Sequence, residues 1–541
     1  MKTNLILLSA AVFGAAPVLI AAPAKKKTQP DKQQPNLLFI MTDQQRFDAL
    51  GVAGRFPFLQ TPNLDRLANT GAYFTHAYTQ CAVSAPARTT LLTGQTVWNH
   101  KLFTNERVKQ DPESYGFTHN LTFDQVLAQN GYYIEHHGKL HTPTKLAEGY
   151  VNYTKYVTKD GVSKLDVDTP MNEYRSYIRH KYGQLPLKEG DQMDSSYGMP
   201  YTPDPIDRRY GMPTGTLSKD APGKRKFSQP DEHGRLSIPA DDSYTAFQSR
   251  RAIEAIKRGV KSGQPFSVTC SYHFPHAPML VTDPYYGMYP VEKMPVPASI
   301  LDNMKDSPYI EANGRKLLPQ YSDPDKIRYM MSAYFGLVTE VDHWVGELLA
   351  ALEELGVADN TLVVFLSDHG EMLGSHGLRE KNVFFEESAR VPLIFNFPNK
   401  IAPVQIDGYV STIDVYATLL DYLGVKDNQQ NDSESLRGMI EGRDNEKGEY
   451  VVTEWLYRGP TQPNYMIIKD GWKLYIPYTP DSKVINALHD LNTDPYEMTN
   501  LLAGEPDADS RAKAEELRTA LVGWLEKHNP EHAQGVALRN L

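Results

Sequence analysis

The chain reads as α/β: a large, mixed and mostly parallel sheet flanked by helices, followed by a smaller C-terminal α+β domain. Three observations predict this. Short, continuous apolar runs recur and end in polar punctuation, as in Asn36–Met41, Phe266–Tyr272 and Thr361–Ser367. Runs of that kind suit strands covered on both faces. Stretches of helical period lie between them, notably 327–355 with Leu337, Val341, Val345 and Leu348 near one face. At 541 residues, 40% hydrophobic and 23% charged, the composition is that of a folded chain large enough for two or more domains.

Taken in order, the chain begins with a targeting segment. Lys2 precedes the apolar stretch Leu5 to Ile20, which Ser9, Gly14 and Pro17 interrupt, and Ala21-Ala22-Pro23-Ala24 and three lysines follow. A positive end, a short apolar run and a small-residue exit read as a signal peptide over 1–24. The run is short for a bilayer span of roughly 20 apolar residues, and the mature protein is expected to lack an integral membrane segment. A periplasmic or secreted location follows. The two cysteines cannot build a disulfide framework. A net charge of -10 argues against a nucleic-acid partner, which would call for basic patches.

Residues 25–444 form the expected catalytic domain. Asn36–Met41 ends in Thr42-Asp43, Phe266–Tyr272 runs into His273 and His276, and Thr361–Ser367 runs into Asp368-His369. Val391–Phe395 reads as a further strand of the same kind. Open α/β sheets collect ligands at the carboxyl ends of their strands, so this recurrence of Asp and His marks a site. Residues 145–245 are rich in Tyr, Pro, Asp and Arg and lack clear periodicity. They are either a solvated surface insertion or a substrate-recognition excursion. From 445 the chain restarts with Glu449–Trp455, continues through Trp472–Tyr475 and closes with an amphipathic helix over 510–527 carrying Leu517, Leu521 and Leu525. No internal repeat of 20 to 50 residues is present.

The segment around Ser84 carries the most information. Cys81-Ala-Val-Ser84-Ala-Pro86-Ala-Arg88-Thr-Thr-Leu-Leu-Thr93-Gly94 reads as a loop entering a helix, with Pro86 suited to the first turn. Alone, Ser84 would be a helix cap and Arg88 a surface charge. The string also matches, position for position, Cys or Ser, any residue, Pro, any residue, Arg, four residues, Thr-Gly. On that match the chain resembles the type I, formylglycine-dependent sulfatases of the alkaline-phosphatase-like superfamily, in their bacterial serine form. Further landmarks occur in order: Gly138-Lys139-Leu140-His141, with Leu140 where Trp is usual; Pro275-His276-Ala277-Pro278; Ser367-Asp368-His369-Gly370; Lys381 before Glu386–Leu393; and Leu488–Leu491 with Asp494-Pro495 and Asn500-Leu501. The resemblance runs from about 35 to 502 and leaves most of the 145–245 insertion unmatched.

The resemblance implies a reaction. A sulfate monoester repels nucleophiles and has a poor leaving group, so a site must spread negative charge, activate a nucleophile and protonate the departing oxygen. A plain serine hydroxyl is weak at the first task. By the family pattern Ser84, not Cys81, is oxidised to formylglycine, whose hydrate attacks sulfur. Arg88 and Lys139 would hold its charge and the sulfate's, and His141 would assist its deprotonation. His276, as general acid, and Lys381 would face the bridging oxygen. Asp43, Gln44, Ser84, Asp368 and His369 would meet one divalent cation, with Ca2+ the family default. Gln44 and His369 depart from the commoner Asp and Asn, which lowers the ligand charge and leaves manganese open. His273 is expected to be structural; His136 and His137 stay unassigned. An anaerobic sulfatase-maturing enzyme is implied as partner, since that type oxidises serine.

The expected function is an exported hydrolase of sulfate monoesters on a carbohydrate, a glycosaminoglycan or another sulfated glycan. The Asp-Gln and Asp-His pairs also resemble the related phosphonate monoester and phosphodiester hydrolases, which stand as the alternative. A glycan-binding protein whose Ser84 is never oxidised is the third.

Overall fold

Asn36–Asp43 forms the first strand, and all eight residues are buried. Leu37, Phe39 and Met41 point to one face of the sheet, Leu38 and Ile40 to the other, so no side of the strand is available to water. The strand pairs in parallel with Thr361–Ser367 on one side and Phe266–Pro275 on the other. Tyr133–Gly138 adds in parallel beyond Phe266–Pro275. The computed structural model describes residues 34–143, 156–157, 163–164, 169–206, 233–309, 319–443, 448–457 and 462–541, apart from 111, 118, 119, 184, 186, 187, 189, 190 and 194–198 within them. The signal peptide expected at 1–24 and much of the 145–245 insertion lie outside the described residues.

The sheet has seven strands, in the order Val404–Ser411, Ala72–Tyr78, Arg390–Asn396, Thr361–Ser367, Asn36–Asp43, Phe266–Pro275 and Tyr133–Gly138. Arg390–Asn396 runs antiparallel to both of its neighbours, whereas every other pairing in the sheet is parallel. The sequence reading grouped Val391–Phe395 with the parallel strands. The apolar run reported burial, which holds, but not direction. The chain leaves Thr361–Ser367 at its carboxyl end, forms the segment 368–389 there, and re-enters the sheet from that same end.

Helices cover both faces. Pro62–Thr70, Tyr244–Ser262 and Pro324–Glu354 pack on the Leu38 and Ile40 side. Ser84–Thr93, Phe123–Gln129 and Val415–Leu423 pack on the Leu37, Phe39 and Met41 side. The 31-residue helix Pro324–Glu354 starts where Asp323 accepts from the Asp325 amide and Pro324 needs no donor, and it buries Leu337, Val341, Val345 and Leu348.

Tyr450–Glu454, Tyr465–Lys469, Trp472–Ile476 and Ala487–Asp490 form a four-stranded antiparallel sheet in chain order. Ala508–His528 lays Leu517, Leu521 and Leu525 against it, and a second helix, Pro530–Ala537, follows without a sequence signal strong enough to have separated it. Parts of the insertion are regular after all. Thr169–Tyr182 is a helix whose Tyr174 and Ile178 are buried, Tyr174 lying 4.9 Å from Tyr244 and 5.6 Å from Phe247 between ring centroids. Gln192–Met193, Pro200–Pro203 and His233–Leu236 join Met279–Val281 in a small sheet. That last strand begins three residues after His276, so the insertion is anchored on the segment that carries it.

Candidate active site

Four sheet strands and one helix converge. Asp43 closes the first strand, Asp368 and His369 follow Thr361–Ser367, Phe266–Pro275 carries Ser271 and leads into His276, and Lys139 follows Tyr133–Gly138. Ser84 is the first residue of the helix Ser84–Thr93 and is 1% exposed. It makes no cap; its Oγ lies 2.9 Å from His369 Nε2. Cys81, three residues upstream, is packed with Val83 and Val97 against Val452, Leu488 and Leu517 of the C-terminal region. Burial there pushes its thiol pKa up, so it is neither accessible nor a ready thiolate.

Arg88 projects from the same helix and is fully buried. Its Nε donates to Asp368 Oδ2 at 2.7 Å and its Nη2 to Asp43 Oδ2 at 3.1 Å; Nη1 donates to Lys139 O and Ser271 Oγ, both at 2.8 Å. A planar fork holding two carboxylates at fixed angles is a task for arginine. Lys139 Nζ also pairs with Asp43 Oδ2. Lys139 is placed by Gly138, whose φ of +101° and a would-be Cβ 1.9 Å from Ser271 O admit only glycine; the Lys139 amide then reaches that carbonyl at 2.9 Å. Burial alone would raise the Asp43 carboxyl, but the Lys139 and Arg88 charges overcome it and hold the pKa well below the usual range.

Asp43 Oδ1, by contrast, is buried and makes no hydrogen bond. It lies 3.8 Å from His369 Nε2, which lies 3.6 Å from Asp368 Oδ1. One ligand atom from each of Asp43, Asp368 and His369 falls within 4.8 Å of the others. His369 Nδ1 donates to Gly370 O at 3.0 Å, which leaves Nε2 as the lone-pair nitrogen. Gln44 adds an amide oxygen nearby: its Oε1 accepts from Lys381 Nζ at 2.5 Å. An orphaned carboxylate oxygen, a second carboxylate, an imidazole lone pair and an amide oxygen are a donor set that fits one divalent cation.

Lys381 Nζ also reaches His276 Nε2 at 3.0 Å, and His276 Nδ1 donates to Ala277 O at 2.6 Å. His276 therefore stands neutral, with Nε2 accepting. Burial first, and then the Lys381 charge, hold its pKa well below the ordinary value. His141 is half-buried, its Nδ1 makes no hydrogen bond, and burial with the Lys139 and Arg88 charges keeps it neutral too. Gln44, His141, Glu380 and Asn382 all have φ between 51° and 75°, a left-handed backbone on non-glycine residues at and beside the site. Each such residue costs about 1–3 kcal/mol that surrounding contacts must hold in place.

The structure thus brings Asp43, Gln44, Ser84, Arg88, Lys139, Asp368, His369, Lys381 and His276 into one connected cluster, with His141 beside Lys139. The His273 ring lies 5.1 Å from that of His276. His137 Nε2 pairs with Glu135 at 2.8 Å, away from the cluster's carboxylates. Two members went unread in the sequence. Ser271 steadies Arg88 and donates to Lys139 O at 2.6 Å. Glu371, 1% exposed, receives the Gln44 amide nitrogen. Neither belongs to a motif; only their places, Ser271 within Phe266–Pro275 and Glu371 shortly after Thr361–Ser367, mark them.

The chain was compared with known proteins. The sulfatase family matches residues 35–425, and a second family, described as N-sulphoglucosamine sulphohydrolase, C-terminal, matches 374–523. The multifunctional alkaline phosphatase superfamily protein PehA of Trinickia caryophylli is 29% identical over 93% of this chain and 99% of its own. An arylsulfatase of Clostridium perfringens is 26% identical over 93% of this chain and 96% of its own. The crystal structure of a phosphonate monoester hydrolase of Agrobacterium radiobacter shares the fold, with a TM-score of 0.68, 22% identity, and coverage of 92% of this chain and 96% of that one. Since the first match spans the whole of the seven-stranded sheet and every strand end that supplies the cluster, the chain belongs to the sulfatase family.

Proposed function

We propose that this protein is an exported sulfatase that hydrolyses a sulfate monoester on a carbohydrate, using a formylglycine formed from Ser84. The observation that carries the reading is the placement of Ser84 Oγ 2.9 Å from His369, inside a cluster whose Asp43 Oδ1 is buried and unbonded. Oxidised and hydrated, residue 84 supplies two hydroxyls on one carbon, one to attack sulfur and one to release sulfate afterwards. Asp43, Gln44, Asp368 and His369 would hold a divalent cation, calcium by family resemblance, which supplies positive charge against the sulfate oxygens.

The chain's own residues do the rest. Arg88 and Lys139 set two positive charges beside residue 84; Arg88 pairs with both Asp43 and Asp368, and Lys139 pairs with Asp43. Neutral His141 offers a lone pair to a hydroxyl proton. Neutral His276 faces Lys381, and the negative charge of an arriving sulfate offsets the Lys381 charge that depresses it. The proton for the leaving sugar oxygen starts on Lys381: Nζ gives it to His276 Nε2, His276 delivers it to the departing oxygen, and Lys381 is left neutral beside the ring. The preorganised charges are buried, where they act strongly and need no rearrangement at the moment of reaction.

The sugar reading draws on the second family match, named for a sulphoglucosamine sulphohydrolase, and on the tyrosine-bearing helix Thr169–Tyr182 of the insertion. Export draws on the composition of 1–24; among the described residues no helix is long and apolar enough to cross a membrane. The test is the mass of the peptide containing Ser84 from protein made with an anaerobic maturase, followed by sulfate release from a panel of sulfated sugars. Loss of two hydrogens and released sulfate are expected; an unmodified serine, or modified protein inert on the whole panel, would sink the reading. Gln44 and His369 in the cation cluster favour a second reading, a phosphonate monoester or phosphodiester hydrolase. Higher turnover on a phosphate diester than on any sulfate ester would select it.

A further inference from the structure

The Gln44 side chain has two chemically different ends. Only Oε1 has a lone pair to give a cation; the amide nitrogen would present hydrogens to it. The two ends have nearly the same shape, so packing alone does not choose between them, and rotation by half a turn would spoil the ligand. An aspartate at this position would need no such choice, because its two oxygens are equivalent.

Glu371 makes the choice. Its Oε2 receives a short hydrogen bond from Gln44 Nε2, while its Oε1 accepts from the Leu373 amide at 2.9 Å and the Glu380 amide at 2.5 Å. All three partners are donors, so the carboxylate faces Gln44 only as an acceptor. Glu371 is 1% exposed, and the two backbone bonds fix it to a segment that also carries Lys381. On the far side of the amide, Lys381 donates to Oε1. Lys381, a donor only, holds the same orientation from the oxygen end while another of its hydrogens serves His276, so Glu371 and Lys381 grip the amide from its two sides. The Gln44 backbone is itself pinned: its φ is 69°, its amide donates to Asp368 Oδ1 at 3.1 Å, and its carbonyl accepts from Tyr334 at 2.8 Å.

We propose that Glu371 is a positioning residue for the cation site, holding the Gln44 amide nitrogen away so that Oε1 faces Asp43, Asp368 and His369. Gln44 and Glu371 then form one unit, a neutral ligand backed by a carboxylate. This rests on the cation reading given above.

The test uses the full-length protein, stripped of metal, and measures calcium binding by calorimetry in the parent and in Glu371→Gln, Gln44→Asp and the double variant. Glu371→Gln can accept or donate, so it no longer dictates the amide's rotation. It should weaken calcium about tenfold or more in the Gln44 background, the usual scale for losing a group that orients a metal ligand. In the Gln44→Asp background the sign should change: Glu371 there faces a second carboxylate, and its replacement by Gln should leave affinity unchanged or tighten it. An equal loss in both backgrounds would reduce Glu371 to a general structural role and overturn the proposal. If Glu371→Gln does not fold, Glu371→Asp, too short to reach Nε2, decides by the same two-background comparison. A parent protein that gives no heat with calcium or manganese would overturn the cation reading itself, an outcome distinct from the others.

Discussion

The cluster around Ser84 and the cluster around Lys473 are built from the same materials, buried lysine, arginine and carboxylates, and they end in different states. Lys473 is fully buried and pairs with Glu386 at 2.8 Å and Glu497 at 3.0 Å. Glu386 also takes the Tyr78 hydroxyl and Arg390, while Glu497 takes the Glu386 amide and the Tyr475 hydroxyl. Every oxygen of both carboxylates is occupied. At the Ser84 cluster Asp43 Oδ1 and His141 Nδ1 are buried with no hydrogen bond. A closed network ties the C-terminal sheet to the main one, whereas an open network has vacant valence for a ligand. Buried charge alone does not separate these two clusters; the unbonded oxygen of Asp43 does.

This contrast can be broken by experiment, beginning with the largest effect. Ser84→Ala should lower sulfate release about 10⁴-fold or more, the scale of losing a nucleophile. Its melting temperature should barely move, since only one hydrogen bond is lost. Steady-state sulfate release and a thermal melt read the two quantities. Lys473→Met should do the reverse: denaturant unfolding should show a loss of about 3–5 kcal/mol, because two buried carboxylates lose their counter-charge, while turnover per folded molecule changes less than about twofold. If Lys473→Met abolishes turnover in folded protein, the division between site and support is wrong.

A smaller effect separates the clusters by ligand. Calcium at about 100 times its dissociation constant should stabilise metal-stripped protein by about 2.7 kcal/mol. A calcium-dependent melt should show this in the parent and in Lys473→Met, and not in Asp43→Asn. A last effect concerns a third kind of buried charge. Glu454 is fully buried, with Oε2 bound to Gln80 and the Val97 amide but Oε1 unbonded, and burial lifts its pKa to about 7. The unfolded chain ionises this group near pH 4.5 while the folded chain keeps the proton. Its contribution is therefore full below pH 4.5 and is lost as the pH rises through about 7, by about 3 kcal/mol. Glu454→Gln should flatten that part of the stability–pH curve; an unchanged slope would show that Glu454 is not its source.

Much of this site could be read from the sequence because it is built at strand ends, and buried strands announce themselves as apolar runs. Asp43, Asp368 and His276 each follow such a run, and Ser84 and Arg88 share one short motif. What stayed hidden depends on contacts between distant residues. Glu371 matters only because Gln44, on another strand end, turns its amide toward it. Glu386 lies in a stretch that resembles the family's site landmarks, yet its partners tie it to the C-terminal sheet. The reversed direction of Arg390–Asn396 was likewise illegible, since two-sided burial looks the same in either direction. The helix Thr169–Tyr182 was obscured by its many tyrosines, two of which serve as the buried and half-buried rings packed on Phe247.

The enclosure of Ser84 sets an order of events. The residue is 1% exposed, and the loop before it is sealed by Cys81 and Val83 against the C-terminal core, whose segments lie far downstream of Ser84 and leave the ribosome well after it. No enzyme's active site closes around a hydroxyl held there. Under the proposed maturation, oxidation has to reach a chain that has not yet finished folding, and the completion of the C-terminal region is the deadline. Each molecule then has one chance. Those that fold first remain serine for life, so the active fraction of a preparation records a race between two rates, not an equilibrium, and slowing the fold should raise it.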